Sequence, residues 1–423
     1  MIPDLDFRRE SARMLAALTR VLGLQNLTMA EDVVQDVLCR AVETWKYAGA
    51  PRDASAWLVT AARNRAIDLI RRERTRRQFA PDLELRSEYA LAPTVSAMFK
   101  DSEIEDDLLR MMFSVCSPIL PEPAQLALVL KLLCGFGTGE IAAALLSSEP
   151  AVEKLLARGK EALARGGALY EVSGRAQIEK RIEGVQHALY LLFSEGYHGS
   201  GQPVQEELCA EAIRLCGLLA QHPACATPRT LALLSLMCFH AARLPGRAAE
   251  DGSLLLLEQQ DRSRWDRSLI RRGFDLLDGS ASGEELSEYH LEAAIASRHC
   301  AAESVAQTDW AGIIELYDLL IQLRPSPMVA LNRAIAVGEA RGAAAGLEAL
   351  GALSADPKLE ASPFLPAAQG RFLRRSGRAE EAARSFAEAA RRARNPAEEQ
   401  LFASLQRQIG LTRPQGAHSL PEG

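Results

Sequence analysis

The sequence predicts an all-α protein, and three observations support that expectation. Apolar residues make up 48% of the 423-residue chain but aromatic residues only 5%, and alanine and leucine dominate the apolar set. Apolar side chains recur at the three- and four-residue spacing of helices. Stretches that contain Gly and Pro separate these periodic segments, as loops do. The length suggests roughly two to four domains with substantial cores.

Composition and charge narrow the class of protein. The chain has no run of about 18 apolar residues for a membrane span, and its first residues, MIPDLDFRRE, are charged where a signal peptide is apolar. We therefore expect a cytoplasmic protein without a membrane partner. The eight cysteines form no CxxC pair and are expected to be reduced and buried. Because the formal net charge is −6, any nucleic acid must be bound through a local basic patch.

Two amphipathic helices are expected at the N-terminus. The first covers about residues 8 to 22. Thr28 and Glu31, three residues apart, predict a capping box at the start of the second. The outer face of this second helix is either solvated or a docking surface for a basic helix of a partner. Its acidic stripe consists of Asp32, Gln35, Asp36 and Glu43.

The most basic segment, Ala54 to Gln78, is predicted to be one long helix. Asp53 is placed to cap its N-terminus. The segment carries seven arginines and two acidic residues, a net charge of +5. A solvated face is one interpretation. The other is a nucleic-acid surface, because Trp57, Asn64 and Asp68 share the polar stripe and such side chains contact bases as well as phosphates.

These two segments, AEDVVQDVLCRAVETW and AWLVTAARNRAIDLIRRE, resemble region 2 of bacterial RNA polymerase sigma factors of the extracytoplasmic-function (ECF) subfamily. The resemblance implies that residues 1–78 form a helical bundle that binds core RNA polymerase and the minus-ten promoter element. In that family the acidic helix contacts the beta-prime clamp helices, a role that falls here on Asp32, Gln35 and Asp36.

The same resemblance implies that the loop 46–53 and the following helix separate the DNA strands and read the minus-ten element. Asn64 and Asp68 fit a structural hydrogen-bonding role equally well. The positions that match the family's DNA-binding pattern are Arg63, Asn64, Arg65, Asp68, Arg71 and Arg72.

Residues 79–102 lack periodicity and are expected to be a linker. Within residues 103–170, the stretch GTGEIAAALLSSEPAVEKLLARGK predicts two helices joined by a short turn. It resembles the helix-turn-helix of sigma region 4, which implies that Lys154, Arg158 and Lys160 meet the minus-thirty-five element. The second helix departs from the family because it has four basic and three acidic residues. We therefore expect weak DNA binding or a shift towards a packing role.

The rest of the chain is expected to be a helical extension (178–285), helical repeats (286–410) and a tail (411–423). A 36-residue repeat relates Ala334, Gly346 and Leu350 to Gly370, Ala382 and Phe386. The latter three, with Ala389, have the spacing of a tetratricopeptide (TPR) repeat. Unrelated helix pairs are the alternative.

Four further stretches, QDRSRWDRSLI, YHLEAAIA, TDW and PSPMVALNRAIAV, resemble the C-terminal part of an ECF sigma-factor subgroup with a TPR-like extension. The resemblance implies that the extension regulates the factor and that the repeats bind a protein or peptide. We also expect the extension to pack against the region-4 half and to stabilise it.

Two polar clusters are candidates for catalysis: His290 with Glu292, and Glu195 with Tyr197 and His198. His290 opens a predicted helix and is expected to cap it or pack. The sequence contains no nucleophile elbow, P-loop, HExxH or paired-Cys metal spacing. We therefore expect no enzyme activity, no cofactor and no metal site.

The sequence thus predicts a sigma factor that binds core RNA polymerase, directs promoter-specific initiation and is regulated by its C-terminal extension. The alternative is a TPR-type scaffold whose sigma-like half has lost promoter activity, which would agree with the weakly basic helix at 149–165.

Overall fold

A computed structural model of the chain places helices along most of its length. Over the part that the structure describes, the regular elements are helices, with one isolated antiparallel bridge between Ala248 and Leu254. The protein is all-α, as predicted. The predicted linker 79–102 lies outside the described residues except for Phe79, and so does the predicted tail 411–423 except for Leu411. The described residues are 7–79, 107–145, 147–165, 175–198, 206–249, 253–393 and 396–411.

The chain forms two compact units. The first comprises Met1–Glu195 with Arg214–Ala226, and the second comprises Gly196–Ile213 with Thr227–Gly423. Each unit is described separately below, within the described ranges.

Three helices form the N-terminal bundle of the first unit: α1 (Phe7–Leu22), α2 (Leu27–Ala48) and α3 (Ala54–Phe79). Helix α1 packs against both others, and α2 packs against α3. Their buried side chains, such as Val34, Leu58 and Ala66, recur at helical spacing. Asp53 caps α3 as predicted, since its Oδ1 accepts the N–H of Ala56 at 2.9 Å.

The start of α2 differs from the prediction. A 3-10 turn, Leu24–Asn26, leads straight into α2, so the helix begins at Leu27 and Thr28 lies within its first turn. Asn26 holds the N-cap position without a side-chain cap, and its Nδ2 donates to the Leu22 carbonyl at 2.7 Å. The predicted capping box is therefore wrong, because the chain is already helical where the box would begin.

Four helices follow in the first unit: α4 (Asp107–Val115), α5 (Glu122–Leu132), α6 (Thr138–Ala144) and α7 (Glu149–Arg165). Helix α4 packs on α1, and α7 packs on α5, α6 and the 3-10 turn before α2. Gly159 explains the close fit of α7: a Cβ there would lie 2.9 Å from Leu128 Cδ1 of α5. A helical glycine costs about 1 kcal/mol relative to alanine, and here it gives α5 access to the α7 backbone.

Helix α8 (Arg175–His198) begins the extension. Arg181 is only 4% exposed, and its Nη1 donates to the Phe113 carbonyl of α4 at 3.2 Å. His187 Nε2 lies 2.9 Å from Glu122 Oε1 of α5. The expected packing of the extension against the region-4 half is therefore present along α8.

The second unit begins with part of α9 (Glu206–Gln221) and continues with α10 (Pro228–Ala241), α11 (Arg267–Ser280) and α12 (Glu288–Ala301). Helix α10 packs on α11 and α12. His290 caps α12, because its Nδ1 accepts the Ser287 N–H at 3.1 Å while its Nε2 lies 3.2 Å from the Ser280 carbonyl oxygen. This structural role is the one expected for His290.

Seven helices complete the second unit: α13 (Trp310–Leu323), α14 (Pro327–Arg341), α15 (Ala343–Gly351), α16 (Pro357–Glu360), α17 (Phe364–Arg375), α18 (Ala379–Arg391) and α19 (Pro396–Leu411). Apart from the short α16, each packs mainly on its neighbours in sequence. Small residues allow these close crossings. A Cβ at Gly346 would lie 2.8 Å from both Gly338 Cα and the Phe372 ring. Such a stack is compatible with TPR-like repeats, which remain a prediction.

Seven of the eight cysteines are buried free thiols, as expected, but Cys39 on α2 is exposed. Burial raises the pKa of Cys116 and of Cys209 to about 12. These buried thiols therefore stay protonated and behave as small core residues.

Candidate polymerase and promoter interface

Helix α2 presents the three side chains assigned to polymerase binding. Asp32, Gln35 and Asp36 are all exposed. Their neighbours Val33 and Val37 are buried, so helical periodicity separates a core face from an acidic face, as the sequence predicted. An exposed acidic face is what docking to a basic partner helix requires.

An ion pair joins this acidic face to α3. Arg65 Nη2 lies 3.1 Å from Asp36 Oδ2, and the carboxylate side chain is 63% exposed. The structure therefore brings together one residue assigned to DNA and one assigned to polymerase. An ion pair this exposed contributes about 0–1 kcal/mol to the free energy of unfolding. Asp36 or Arg65 can therefore leave it for another binding partner at little cost.

Helix α3 presents most of its assigned DNA-binding residues to solvent. Arg63, Asn64, Asp68 and Arg71 are exposed, and Arg65 is half-buried. The side chain of Arg72 lies outside those that the structure describes. Because Ala62, Ala66 and Ile70 are buried against the bundle, the basic face is fixed outwards along the first part of α3.

Trp57 has a different role from the one expected. Its ring centroid lies 5.4 Å from that of the buried Trp45, in an edge-on arrangement, and the side chain is half-buried. Trp57 therefore belongs to the contact between α2 and α3 rather than to an open reading face.

Tyr47 is a candidate functional residue that sequence reasoning did not single out. It lies in the last turn of α2, is 85% exposed, and has the Lys46 Nζ 5.6 Å from its ring centroid. The predicted loop 46–53 is shorter in the structure, because α2 continues to Ala48. The available signal was an aromatic residue beside a lysine next to the basic helix, a combination suited to stacking on unpaired bases.

Helix α7 divides its three assigned residues between two faces. Lys154 and Arg158 are exposed. Lys160 Nζ instead lies 2.8 and 2.7 Å from the two carboxylate oxygens of Glu31 on α2. The structure therefore does not bring Lys160 together with the other two, and the helix offers fewer accessible cations than its sequence suggests.

A second ion pair links the N-terminal bundle to the helices that follow it in the first unit. Arg8 Nη2 of α1 lies 2.9 Å from Glu140 Oε1 of α6. Together with the pair between Lys160 and Glu31, it connects the N-terminal bundle to both helices of the predicted helix-turn-helix.

Among the described residues, no group of three or more His, Cys, Asp and Glu side chains is arranged to hold a metal ion. The helices in the described ranges are too short or too polar to cross a membrane.

Comparison with known proteins assigns the N-terminal bundle. Residues 7–76 match Sigma-70 region 2, and this match covers α1, α2 and nearly all of α3 with both charged faces. The chain is a sigma-factor-like protein. Sigma-70 region 2 implies that its partners are core RNA polymerase and promoter DNA.

A relative matches nearly the whole chain. A protein of Rhizobium meliloti (strain 1021), described as uncharacterized, is 35% identical over 398 residues and is matched over 93% of each chain. The two proteins belong to one family. Residues 181–281 match a family of unknown function, DUF6596, which covers most of α8 and continues through α11. No solved structure matches the chain.

Proposed function

We propose that this sigma-factor-like protein is a sigma factor of the ECF subfamily that directs promoter-specific initiation by core RNA polymerase. One observation carries the proposal: the bundle that matches Sigma-70 region 2 exposes an acidic face on α2 and a basic face on the adjacent α3. Two opposite charge patterns on neighbouring helices can hold a basic protein helix and a DNA strand at the same time.

Polymerase binding is assigned to the acidic face. Asp32, Gln35 and Asp36 dock on the beta-prime clamp helices. Arg65 then exchanges its exposed contact with Asp36 for a DNA phosphate, so that the binding of one partner prepares the surface for the other. The low energy of an exposed ion pair makes this exchange easy.

Promoter opening is assigned to α3 and the end of α2. Arg63, Arg71 and Arg72 contact phosphates, while Asn64 and Asp68 lie near the bases. Tyr47, whose ring is largely exposed, stacks on a base released from the melted minus-ten element. Unpaired bases favour such aromatic platforms regardless of sequence, whereas the amide and carboxylate supply hydrogen bonds that discriminate bases.

The region-4 half, residues 103–170, makes a weaker contact with the minus-thirty-five element through Lys154 and Arg158. The helical extension, residues 178–285, stabilises this half through α8. The repeats in 286–410 are TPR-like, bind a protein or peptide, and regulate the factor. A protein with these partners acts in the cytoplasm.

Run-off transcription with purified core polymerase tests the proposal. Adding the chain to core polymerase and sheared genomic DNA should produce discrete transcripts from a small set of fragments, with none from core alone. Binding to core polymerase is measured in parallel.

The alternative, a scaffold with a relic sigma half, is favoured by the net charge of only +1 on α7. If the chain neither binds core polymerase nor yields discrete transcripts, the scaffold is the better description.

A further inference from the structure

The second unit contains a group of cationic and aromatic side chains that the proposed function leaves unexplained. Arg243 follows α10, Arg262 and Trp265 precede α11, and His299 lies in the last turn of α12. The guanidinium carbons of Arg243 and Arg262 lie 5.5 and 4.7 Å from the centroid of the Trp265 ring. We call these four residues the arginine–tryptophan cluster.

Arg262 ties the cluster to α12. Its Nη1 donates to the carbonyl oxygens of His299 and Ala302, each at 2.6 Å. The cluster therefore lies where the ends of three helices meet, and it is held by backbone contacts rather than by flexible surface side chains.

No carboxylate among the described residues balances the cluster's charge. The side-chain hydrogen bonds of Arg243 and Arg262 go to an amide and to carbonyl oxygens. The adjacent acids Asp261 and Asp266 act as helix caps instead, with their Oδ1 atoms accepting the N–H groups of Ser263 at 2.9 Å and Ser268 at 2.8 Å. Within the described ranges, two neighbouring guanidinium groups thus lack the counter-charge that partly buried cations normally have.

Several buried nitrogens of the cluster also have no hydrogen-bond partner among the described residues. They are Arg243 Nε, Arg262 Nη2, Trp265 Nε1 and His299 Nδ1. Trp265 is only 2% exposed, so water does not readily serve its N–H. Burying an unpaired polar group is costly, and the N–H donors of Arg243, Arg262 and Trp265 favour an acceptor that completes the site.

The positive charges of the two arginines also affect the protonation of the side chains around them. Burial, together with the charges of Arg243 and Arg262, lowers the pKa of His299 to about 3. The imidazole is therefore neutral at physiological pH and can offer a hydrogen bond without adding to the cationic repulsion. Burial and the charge of Arg243 also lower the pKa of Arg262.

We propose that the arginine–tryptophan cluster binds the oxyanion group of a small molecule, either a phosphate or a carboxylate. Guanidinium groups bind both through charge-assisted, often bidentate hydrogen bonds, and the indole N–H supplies a further donor. The proposal gives the extension a small-molecule ligand, and it does not depend on the function proposed for the N-terminal bundle.

The test uses the full chain with ¹⁵N-labelled tryptophan indoles. Inorganic phosphate and, separately, acetate are titrated against KCl at matched ionic strength, and the Trp265 indole signal is identified by its loss in Trp265→Phe. A saturable shift of that signal with phosphate identifies a phosphate site, and one with acetate identifies a carboxylate site. Either result supports the proposal, whereas shifts no larger than those in KCl would overturn it.

A pair of variants links the shift to the cluster. Arg243→Gln should weaken binding by at least about tenfold, as expected from the loss of a charge-assisted hydrogen bond. Arg298→Gln, which changes an exposed arginine of α12 paired with Asp309, should bind as the unchanged chain does. Equal binding by a folded Arg243→Gln chain would overturn the proposal. If Arg243→Gln does not fold, Arg243→Lys replaces it, with the same weakening expected because lysine lacks the planar fork.

Discussion

Helices α3 and α7 are both predicted to face DNA, yet they differ in charge and surroundings. Helix α3 has a net charge of +5 and α7 one of +1. On α3, Arg63 and Arg71 are exposed. On α7, Lys160 pairs with Glu31, and the adjacent Gly159 lies against Leu128.

This difference separates a binding helix from one that combines binding with packing. Each phosphate neutralised contributes about 0.9 to the slope of log affinity against log salt concentration. Lys160 neutralises no phosphate while it is paired with Glu31, so it adds nothing to that slope. We therefore expect α3 to supply most of the affinity for promoter DNA and α7 to supply a smaller part.

The largest effect is expected from reversing the charge of the polymerase-docking face. Asp32→Arg combined with Asp36→Arg should weaken core-polymerase binding by about 100-fold or more, since charged anchors at interfaces contribute about 2 kcal/mol or more each. Co-purification and fluorescence anisotropy measure the loss.

The matched control reverses the charge of two exposed acidic residues of the second unit, with Glu348→Arg and Glu360→Arg. It makes the same change in net charge and should leave polymerase binding intact. Native helicity with full binding in the Asp32 and Asp36 variant would remove the docking role from α2.

The next largest effect concerns the stability of the predicted region-4 half, residues 103–170. A chain ending after Gly174 loses α8 and with it the contact of Arg181 with Phe113. Its region-4 half should aggregate while the N-terminal bundle stays folded, and transcription should fall. Limited proteolysis and circular dichroism distinguish the two halves. A chain ending at Ala226 keeps α8 and should remain soluble.

A stable chain ending after Gly174 that transcribes better than the full length would contradict this account. It would show that the extension is an inhibitory lid, and that α7 needs no help to reach DNA.

A smaller effect is expected from single phosphate contacts. Arg71→Ala should lower promoter affinity and reduce the salt slope by about 0.9. Asn64→Ala should instead alter base preference and leave the slope unchanged. Affinities measured over a series of KCl concentrations test both. An unchanged slope for Arg71→Ala would place this arginine on a merely solvated face.

The smallest effect on DNA binding is expected from Lys160→Ala. Because Lys160 is engaged by Glu31, its loss should leave the salt slope nearly unchanged and lower stability by about 1 kcal/mol, as partly exposed ion pairs do. Glu31→Gln should lower the melting temperature to a similar extent. If Lys160→Ala instead reduces the salt slope by about 0.9, as the loss of one phosphate contact would, Lys160 contacts DNA. Helices α3 and α7 would then differ less in DNA binding than the structure suggests.

Periodicity explains why much of this could be predicted from the sequence. Exposure of Asp32 and Asp36 follows from their spacing relative to buried valines on one helix, and the cap at Asp53 is a local signal. The start of α2 was missed because the preceding 3-10 turn removes the break that a capping box requires.

Tertiary contacts explain what could not be predicted. Lys160 and Glu31 are 129 residues apart, and nothing in either local pattern indicates their pairing. The edge-on contact between Trp57 and Trp45 depends in the same way on how two helices cross. The arginine–tryptophan cluster draws its members from three separate stretches, and in sequence they are ordinary loop and helix-end residues.

The asymmetry between α3 and α7 is tested most directly on one promoter identified by run-off transcription. Its minus-ten and minus-thirty-five elements are randomised separately, and the templates that the unchanged chain transcribes with core polymerase are sequenced. We predict strong selection at several minus-ten positions and weak selection at the minus-thirty-five element. Equal or stronger selection at the minus-thirty-five element would contradict the account, because it would make α7 rather than α3 the main reader of DNA.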